Sequence, residues 1–284
     1  MKRSIQILVF MLFMCISTYA QHSWVGVSST GFITWQMDDS SISTSKIGAG
    51  GGIGFAYQWQ KKRFIMELGL DATYNYHHIG LTDTLLSFSM IDTKGTPFRY
   101  NGLVSNREDI SHTIAISFPM MFGMEFNYVY FLAGINLNFN LFGGCVSYAN
   151  LTTSGNYDIF YDELVNLPSH GFDNNKPITS AGNITYNIDI RPSIEFGAIF
   201  NNIFKKSKIH LGIYAEYGLL NTLPSNNVEK LIMPDLSQYM QLDMNHFYTT
   251  PYASYLHNFV IGVRCKAFLE IISNNKNKCR CWWE

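Results

Sequence analysis

The sequence carries little charge and, beyond its first residues, no long apolar run. Charged residues make up 14% of the 284 residues, and the formal net charge of −1 gives no sign of a nucleic-acid partner. After residue 20, no apolar stretch reaches the about 20 residues of a membrane-spanning helix, which excludes a helical membrane protein. Cysteine is sparse there too. Cys145, Cys265, Cys279 and Cys281 lack the spacing of a zinc site or a disulfide framework, so we expect no metal and no cofactor.

The first residues have the pattern of a secretory signal peptide. Lys2 and Arg3 form a basic start, an apolar run follows from Ile5 to Ile16, and small residues stand at Thr18 and Ala20. We therefore predict cleavage after Ala20, so that residues 1–20 are removed. The apolar run is too short for the alternative, a membrane anchor helix.

The most regular pattern is a long alternation of apolar and polar residues from Val129 to Leu141. Every odd position is apolar, while Asn136, Asn138 and Asn140 lie among the even positions. Because successive side chains of a strand point to opposite faces, one face is apolar and the other carries asparagine. Soluble strands usually have about five or six residues, whereas roughly 9–11 cross a bilayer in a barrel. The pattern favours a transmembrane β-barrel over a soluble lipocalin-like barrel, which needs apolar residues inside.

Further segments alternate in the same way, and their connections differ in length. The predicted strands are Ser23–Gln36, Ile47–Trp59, Phe64–His77, Thr113–Glu125, Val129–Leu141, Ile184–Ala198, Ile209–Leu219 and Tyr255–Leu269. Three connections are short, and three are about 30 residues long: His78–Asp109, Ser147–Gly182 and Asn221–Pro251. We predict an all-β fold, an eight-stranded antiparallel up-and-down transmembrane β-barrel over residues 21–270, with short periplasmic turns and long extracellular loops.

The inward positions of the predicted strands carry many charged side chains. They are Glu67, Asp71, Glu125, Asp189, Arg191, Glu195, Glu216, Arg264 and Lys266, accompanied by His77 and His210. An eight-stranded barrel has room for little more than side chains, and buried charges require partners. We predict a structural charge network that fills the lumen. The alternative is a catalytic or proton-binding cluster, because crowded carboxylates raise one another's pKa.

Histidines near the outer strand ends and the C-terminal tail provide further candidate sites. His77, His78 and His112 stand where a metal or an enzyme site at the rim would be placed, although their spacing alone is a weak signal. The tail at residues 271–284 is basic and contains Cys279 and Cys281. We predict a disordered tail, with docking on a periplasmic partner or binding of a soft metal as alternatives.

Five short motifs follow one another along the predicted strands: Ile116–Phe122, Tyr130–Gly134, Ile194–Gly197, Tyr214–Leu219 and Phe259–Val263. In their order and spacing they resemble the outer-membrane β-barrel domain family that includes PorT-like proteins. The resemblance spans residues 23–269 and excludes the tail. It implies an eight-stranded barrel in the outer membrane of a Gram-negative bacterium, in a family whose namesake is associated with protein secretion.

Together these features predict a non-enzymatic integral protein of the outer membrane. We expect a structural or binding role, with outer-membrane lipid around the barrel and a periplasmic or surface protein as partner. One alternative is a small hydrolase or acyl-modifying enzyme at the extracellular rim, which a His, a Ser and an acid converging near His77, His78 and His112 would favour. Another is passive solute transport, which the charged side chains inside argue against.

Overall fold

The computed structural model describes residues 22–92, 94–157, 163–201, 206–223, 232–235 and 241–273, and its regular structure is almost entirely β-strand. In chain order the strands are β1 (His22–Asp38), β2 (Ser43–Ser45), β3 (Gly48–Lys61), β4 (Phe64–Leu81), β5 (Thr84–Ile91), β6 (Pro97–Phe126), β7 (Val129–Tyr157), β8 (Leu164–Val165), β9 (Lys176–Asn183), β10 (Asp189–Asn201), β11 (Ser207–Tyr217), β12 (Ile232–Asp235), β13 (Gln241–Met244) and β14 (Leu256–Ser273). Two short 3₁₀ helices cover Pro168–His170 and Phe247–Thr249. Within the described ranges, no helix is long and apolar enough to cross a membrane.

Two of the predicted segments lie largely outside these residues. Residues 1–20, interpreted as a signal peptide, are among those not described, and so are Cys279 and Cys281 of the tail. Residues 271–273, which begin the predicted tail, form the end of β14. The division into a signal peptide, a barrel and a tail therefore stays a prediction.

Twelve of the strands form one sheet, and β12 and β13 pair separately. Within the larger sheet, β1, β3, β4, β6, β7, β10, β11 and β14 each pair antiparallel with the next strand in this series, and β14 pairs back with β1. These strands make a closed ring. The sheet has more strands than the eight predicted for a barrel, because β2, β5, β8 and β9 are added to it at the end with the long connections.

Side chains of the ring strands alternate between the outside and the inside. On β7, Ile135 is 44% exposed, whereas its neighbour Asn136 is 4% exposed. This agrees with the predicted faces of the stretch from Val129 to Leu141. The alternation shifts at Phe142, which is exposed beside an irregularity in the pairing of β6 with β7. Beyond that point Cys145 and Ser147 point inward.

Two of the segments predicted as long loops are instead mostly strand. Strand β6 starts at Pro97 and β7 continues to Tyr157, so both extend far beyond the predicted wall. We call β5, β8 and β9, with residues 97–110 of β6 and 144–157 of β7, the outer sheet. The prediction failed because polar residues occupy both faces of these segments, as in Ser147–Tyr157, so the signal of alternation is weak.

One face of the outer sheet is covered by aromatic packing. Phe98 and Tyr100 of β6 and Phe172 of the connection after β8 are buried together. The Phe98 and Tyr157 rings stack with their centroids 4.8 Å apart. This small core holds the outer sheet as a packed unit rather than as separate hairpins.

The sixth predicted strand also needs a correction at its start. It was expected from Ile184, but β10 begins at Asp189. Ile184 and Tyr186 leave the wall and are buried in a cluster that includes Ile79 and Phe247. Their spacing continues the alternation of β10, so the sequence pattern alone does not separate them from the strand. The remaining ring strands outside β6 and β7 begin and end within about four residues of the predicted bounds.

Candidate functional site

The centre of the ring contains a compact network of ion pairs. Lys266 Nζ lies 2.5 Å from Glu67 Oε1 and 2.9 Å from Glu195 Oε1. Arg264 contacts Glu195 at 3.0 Å and Glu216 at 3.4 Å. Since β4 and β10 are not neighbours of β14 in the ring, these contacts cross the interior. The charged side chains therefore occupy the space between the walls.

A second network lies nearer the short turns and is centred on Glu125. Lys208 Nζ is 2.6 Å from Glu125 Oε1, and His210 Nε2 is 3.1 Å from the same oxygen. The side-chain amides of Gln58 and Gln60 donate to the two Glu125 oxygens at 2.8 and 2.9 Å. This carboxylate is therefore held by neighbours on two strands, β3 and β11.

The other predicted residues form smaller contacts. Arg191 Nε lies 2.7 Å from Asp189 Oδ2, and Ser28 Oγ donates to Asp71 at 2.6 Å. The nine residues predicted for the lumen charge network point inward, but they do not form one ion-pair cluster. Glu125 belongs to the turn-end network, while Asp189 pairs with Arg191 and Asp71 with Ser28.

The interior between these groups is nearly full. One small cavity of about 20 Å³ is lined by Asp71, Asn136 and Glu216, among others. That volume accommodates about one water molecule. A Cβ at Gly54 would lie 2.0 Å from Asp71 Oδ1, and one at Gly50 would lie 2.3 Å from the Phe32 ring. The side chains of Asp71 and Phe32 therefore already fill the space beside these two glycines.

Sequence reasoning missed Lys208, which is the main cation of the turn-end network. Lys208 is buried, and its Nζ also lies 4.6 Å from the centre of the Trp24 ring. Its even position in β11 matches that of His210, so the alternation would have placed it inside. It was overlooked because it adjoins the turn, where a lysine is ordinarily assigned to solvent.

A short segment closes the end of the ring below the outer sheet, and we call residues 244–250 the mouth segment. Phe247 and Tyr248 are almost completely buried in the cluster of Ile79 and Leu256. Arg107 donates to the backbone oxygen of Asn245. These contacts attach a part of the predicted third loop to the barrel entrance.

Asp109, two residues from Arg107 on β6, also holds the mouth segment. Its Oδ2 accepts from the Phe247 N–H at 2.6 Å and contacts Arg107 at 3.0 Å. Burial acts to raise the pKa of Asp109, but the charge of Arg107 and these hydrogen bonds hold it below the usual value. Burial lowers the pKa of His246 to about 4, with Asp109 acting in the opposite direction and Arg107 in the same direction. Both residues lie in the part of the molecule beyond the apolar outer surface.

The three histidines proposed for a rim site do not converge. His77 points inward, with its ring 6.2 Å from the Tyr186 ring. His112 points outward, and its Nδ1 lies 2.5 Å from the Tyr74 hydroxyl. His78 is also on the outer side, 3.3 Å from Glu108. In the described part of the chain, no group of three or more His, Cys, Asp and Glu side chains is arranged to hold a metal ion.

The central charged side chains are paired with one another and with polar neighbours. The partners of the central carboxylates include Lys266, Arg264, Tyr130, Asn136 and Ser193, and among the described residues no Ser, His and acid stand there in hydrogen-bond sequence.

Comparison with known proteins finds only remote structural likeness. No protein-family model and no curated protein sequence matches the chain. Among solved structures, the chain is similar to Ail, the attachment invasion locus protein of Yersinia pestis, in complex with the heparin analogue sucrose octasulfate. The identity is 9% and the TM-score is 0.28, and the match covers 87% of this chain and 99% of Ail. The chain is also similar to the outer membrane protease OmpT from Escherichia coli, with 7% identity, a TM-score of 0.31, and coverage of 89% and 98%. At these TM-scores the likeness supports no conclusion, so the interpretation below depends on the geometry described above.

Proposed function

We propose that this chain is an integral protein of a Gram-negative outer membrane, and that its eight ring strands cross the bilayer as a barrel. The observation that carries the proposal is the division of the ring into an apolar outside and a charged inside. A soluble barrel has the opposite arrangement, whereas barrel strands in a bilayer place apolar residues toward lipid. The short turns then lie in the periplasm, and the outer sheet and mouth segment lie outside the cell.

The outer surface of the ring supports this orientation in lipid. Every ring strand contributes exposed apolar side chains, including Val27, Ile53, Phe55, Leu70, Phe118, Phe122, Phe131, Ile135, Ile194, Phe196, Leu211, Ile213, Ile261 and Val263. So large a continuous apolar surface is not stable in water.

Aromatic residues border this surface on the side of the long connections. The Tyr76 and His112 rings lie 5.3 Å apart, and so do the Tyr255 and His257 rings on the other side of the ring. Tyrosine is favoured at membrane interfaces because its ring is apolar and its hydroxyl is polar. These clusters fit the outer edge of the lipid-facing surface.

The filled interior favours a binding or structural role over transport or catalysis. Ion pairs that cross the lumen, with space for about one water molecule between them, leave no path for a solute. The separated positions of His77 and His112 give a rim enzyme no support. We therefore propose a non-enzymatic barrel whose outer sheet binds a protein ligand. Membership of the PorT-like family stays a prediction, as does the periplasmic alternative for the partner.

Photo-crosslinking in living cells tests this proposal. A photoreactive amino acid is placed at Leu85 in the outer sheet and, as the matched control, at Tyr128 in a short turn; both positions are exposed. The proposal predicts a reproducible crosslinked protein from Leu85 and none of the same mass from Tyr128. Crosslinks from Tyr128 alone, or stepwise ion conductance by the purified protein in planar bilayers, would contradict it.

A further inference from the structure

The two edges of the outer sheet differ in their protection against pairing with another strand. Among the described residues, β5 pairs with β6 alone, and β9 pairs with β7 at the opposite edge. Natural edge strands are usually blocked by lysine, proline or other interruptions. Strand β9 begins with Lys176 and Pro177, whereas Thr84–Ile91 of β5 contains no charged residue, no proline and no glycine. Strand β5 therefore offers an open edge suited to another strand.

The sequence of β5 is complementary to itself in the antiparallel direction. A two-fold axis at Phe88 places like residues opposite each other. In that register the pairs are Leu85 with Ile91, Leu86 with Met90, Ser87 with Ser89, and Phe88 with Phe88. Directly opposed aromatic pairs and hydroxyl pairs stabilise antiparallel pairing. Leu85 is 81% exposed and Ile91 71% exposed, so this pairing would also cover apolar surface.

We propose that β5 of one molecule pairs antiparallel with β5 of a second copy and joins the two outer sheets into one continuous sheet. This inference rests on the proposed function, because it takes the outer sheet to lie outside the cell. It names the protein ligand of that sheet as another copy of this chain.

The direction of the strands decides how the two copies are placed. Strand β5 pairs antiparallel with residues 97–104 of β6, and β6 runs as one strand from there into the barrel wall. An antiparallel copy of β5 is therefore inverted relative to the first barrel. Two barrels in the same membrane face the same way, so the paired copies belong to two opposing membranes. The contact is an adhesive one between two membrane surfaces.

Each contact is small, since only about eight residues of each strand take part. A single pairing of this size is weak, but many copies on facing membranes act together and raise the overall affinity. We therefore expect clustering of membranes that carry the protein, at protein concentrations where the detergent-solubilised chain is monomeric.

Vesicle clustering with charge variants tests the inference. The full chain is reconstituted into lipid vesicles, and clustering is followed by light scattering. The double variant Ser87→Lys/Ser89→Lys places lysine opposite lysine twice in each contact, which weakens the contact roughly tenfold and abolishes clustering. Vesicles that carry only the Ser87→Glu/Ser89→Glu variant also fail to cluster, because glutamate then faces glutamate. Mixing lysine vesicles with glutamate vesicles restores clustering, because opposite charges then face each other.

A control at the other edge and a crosslink give this test its specificity. Thr179→Lys on β9, also an exposed position, leaves clustering unchanged. Vesicles with Ser87→Cys mixed with vesicles with Ser89→Cys form a disulfide-linked dimer when a mild oxidant such as copper phenanthroline is added, since opposed strand residues have a Cα separation that a disulfide spans.

Three results would overturn the inference: no clustering of unsubstituted vesicles, equal clustering by the lysine variant, or a mixture that fails to recover. The proposed function fails separately, if a cysteine at Ser169 is not accessible from outside intact cells. If the protein in the vesicles is oriented outward but the vesicles do not cluster, the β5 contact is contradicted and the proposed outer-membrane barrel is not.

Discussion

Replacement of Lys266 by methionine should destabilise the barrel strongly, because Lys266 neutralises two buried carboxylates. Its Nζ lies 2.5 Å from Glu67 and 2.9 Å from Glu195. Glu195 keeps Arg264 and the Tyr130 hydroxyl as partners in the variant. Glu67 loses the ion pair that holds its charge, while methionine preserves most of the side-chain volume.

The expected loss follows from the cost of an uncompensated buried charge. Removal of one partner of a buried ion pair typically costs about 3–5 kcal/mol. Adding Glu67→Gln removes the orphaned charge, so the double variant should recover about 0.5–3 kcal/mol of this loss. Lys176→Met is the matched control. Lys176 pairs with Asp173 on the exposed outer sheet, and an exposed pair contributes about 0–1 kcal/mol.

Denaturant unfolding of the protein in detergent micelles, followed by tryptophan fluorescence, measures these free energies. The account expects Lys266→Met to lower the free energy of unfolding by several times as much as Lys176→Met. Equal and small effects of the two substitutions would refute the role of the central network. A double variant less stable than Lys266→Met would show that the uncompensated charge of Glu67 is not the cause of the lost stability.

Two further predictions concern the lipid-facing surface and the mouth. Ile135→Arg should reduce the stability of the protein in lipid vesicles by about 2–4 kcal/mol. Tyr148→Arg, on the same strand but beyond the proposed lipid-facing surface, should change the stability by less than about 0.5 kcal/mol. Similar effects of the two substitutions would contradict the assigned faces. Because the folded-state pKa of His246 is about 4, below the 6.5 of a free histidine, the folded mouth binds fewer protons, and its stability should be complete above pH 6.5 and fall by about 3 kcal/mol toward pH 4. Hydrogen exchange at the Phe247 amide measures this loss, and a His246→Gln variant with the same pH dependence would contradict the assignment.

Much of the wall could be predicted from the sequence, for a physical reason. An apolar outside and a charged inside impose a period of two along each ring strand, so positions such as Ile135 and Asn136 reveal their faces. The same rule applied to Lys208 would have completed the turn-end network. The rule of alternation fails near Ile184 and Tyr186. The apolar spacing continues there outside β10, and only the packing at the mouth shows that these two residues are not part of the strand.

The outer sheet and the mouth segment could not be predicted in the same way. The segment Ser147–Tyr157 lacks an apolar stripe although it forms strand. The contact of Arg107 with Asn245 joins residues 138 positions apart. No local pattern encodes such a contact, and the arrangement of Asp109 beside Phe247 becomes visible only in three dimensions.

The orientation of the chain in the outer membrane is tested most directly by labelling cysteine variants on intact cells with a membrane-impermeant maleimide. Ser169→Cys lies in the outer sheet region, and Tyr128→Cys lies in a short turn at the opposite end of the barrel. The unsubstituted chain reports any labelling of the native cysteines. The account predicts that Ser169→Cys is labelled on intact cells, and that Tyr128→Cys is labelled only after the outer membrane is permeabilised. Labelling of Tyr128→Cys on intact cells, with Ser169→Cys protected, would contradict it.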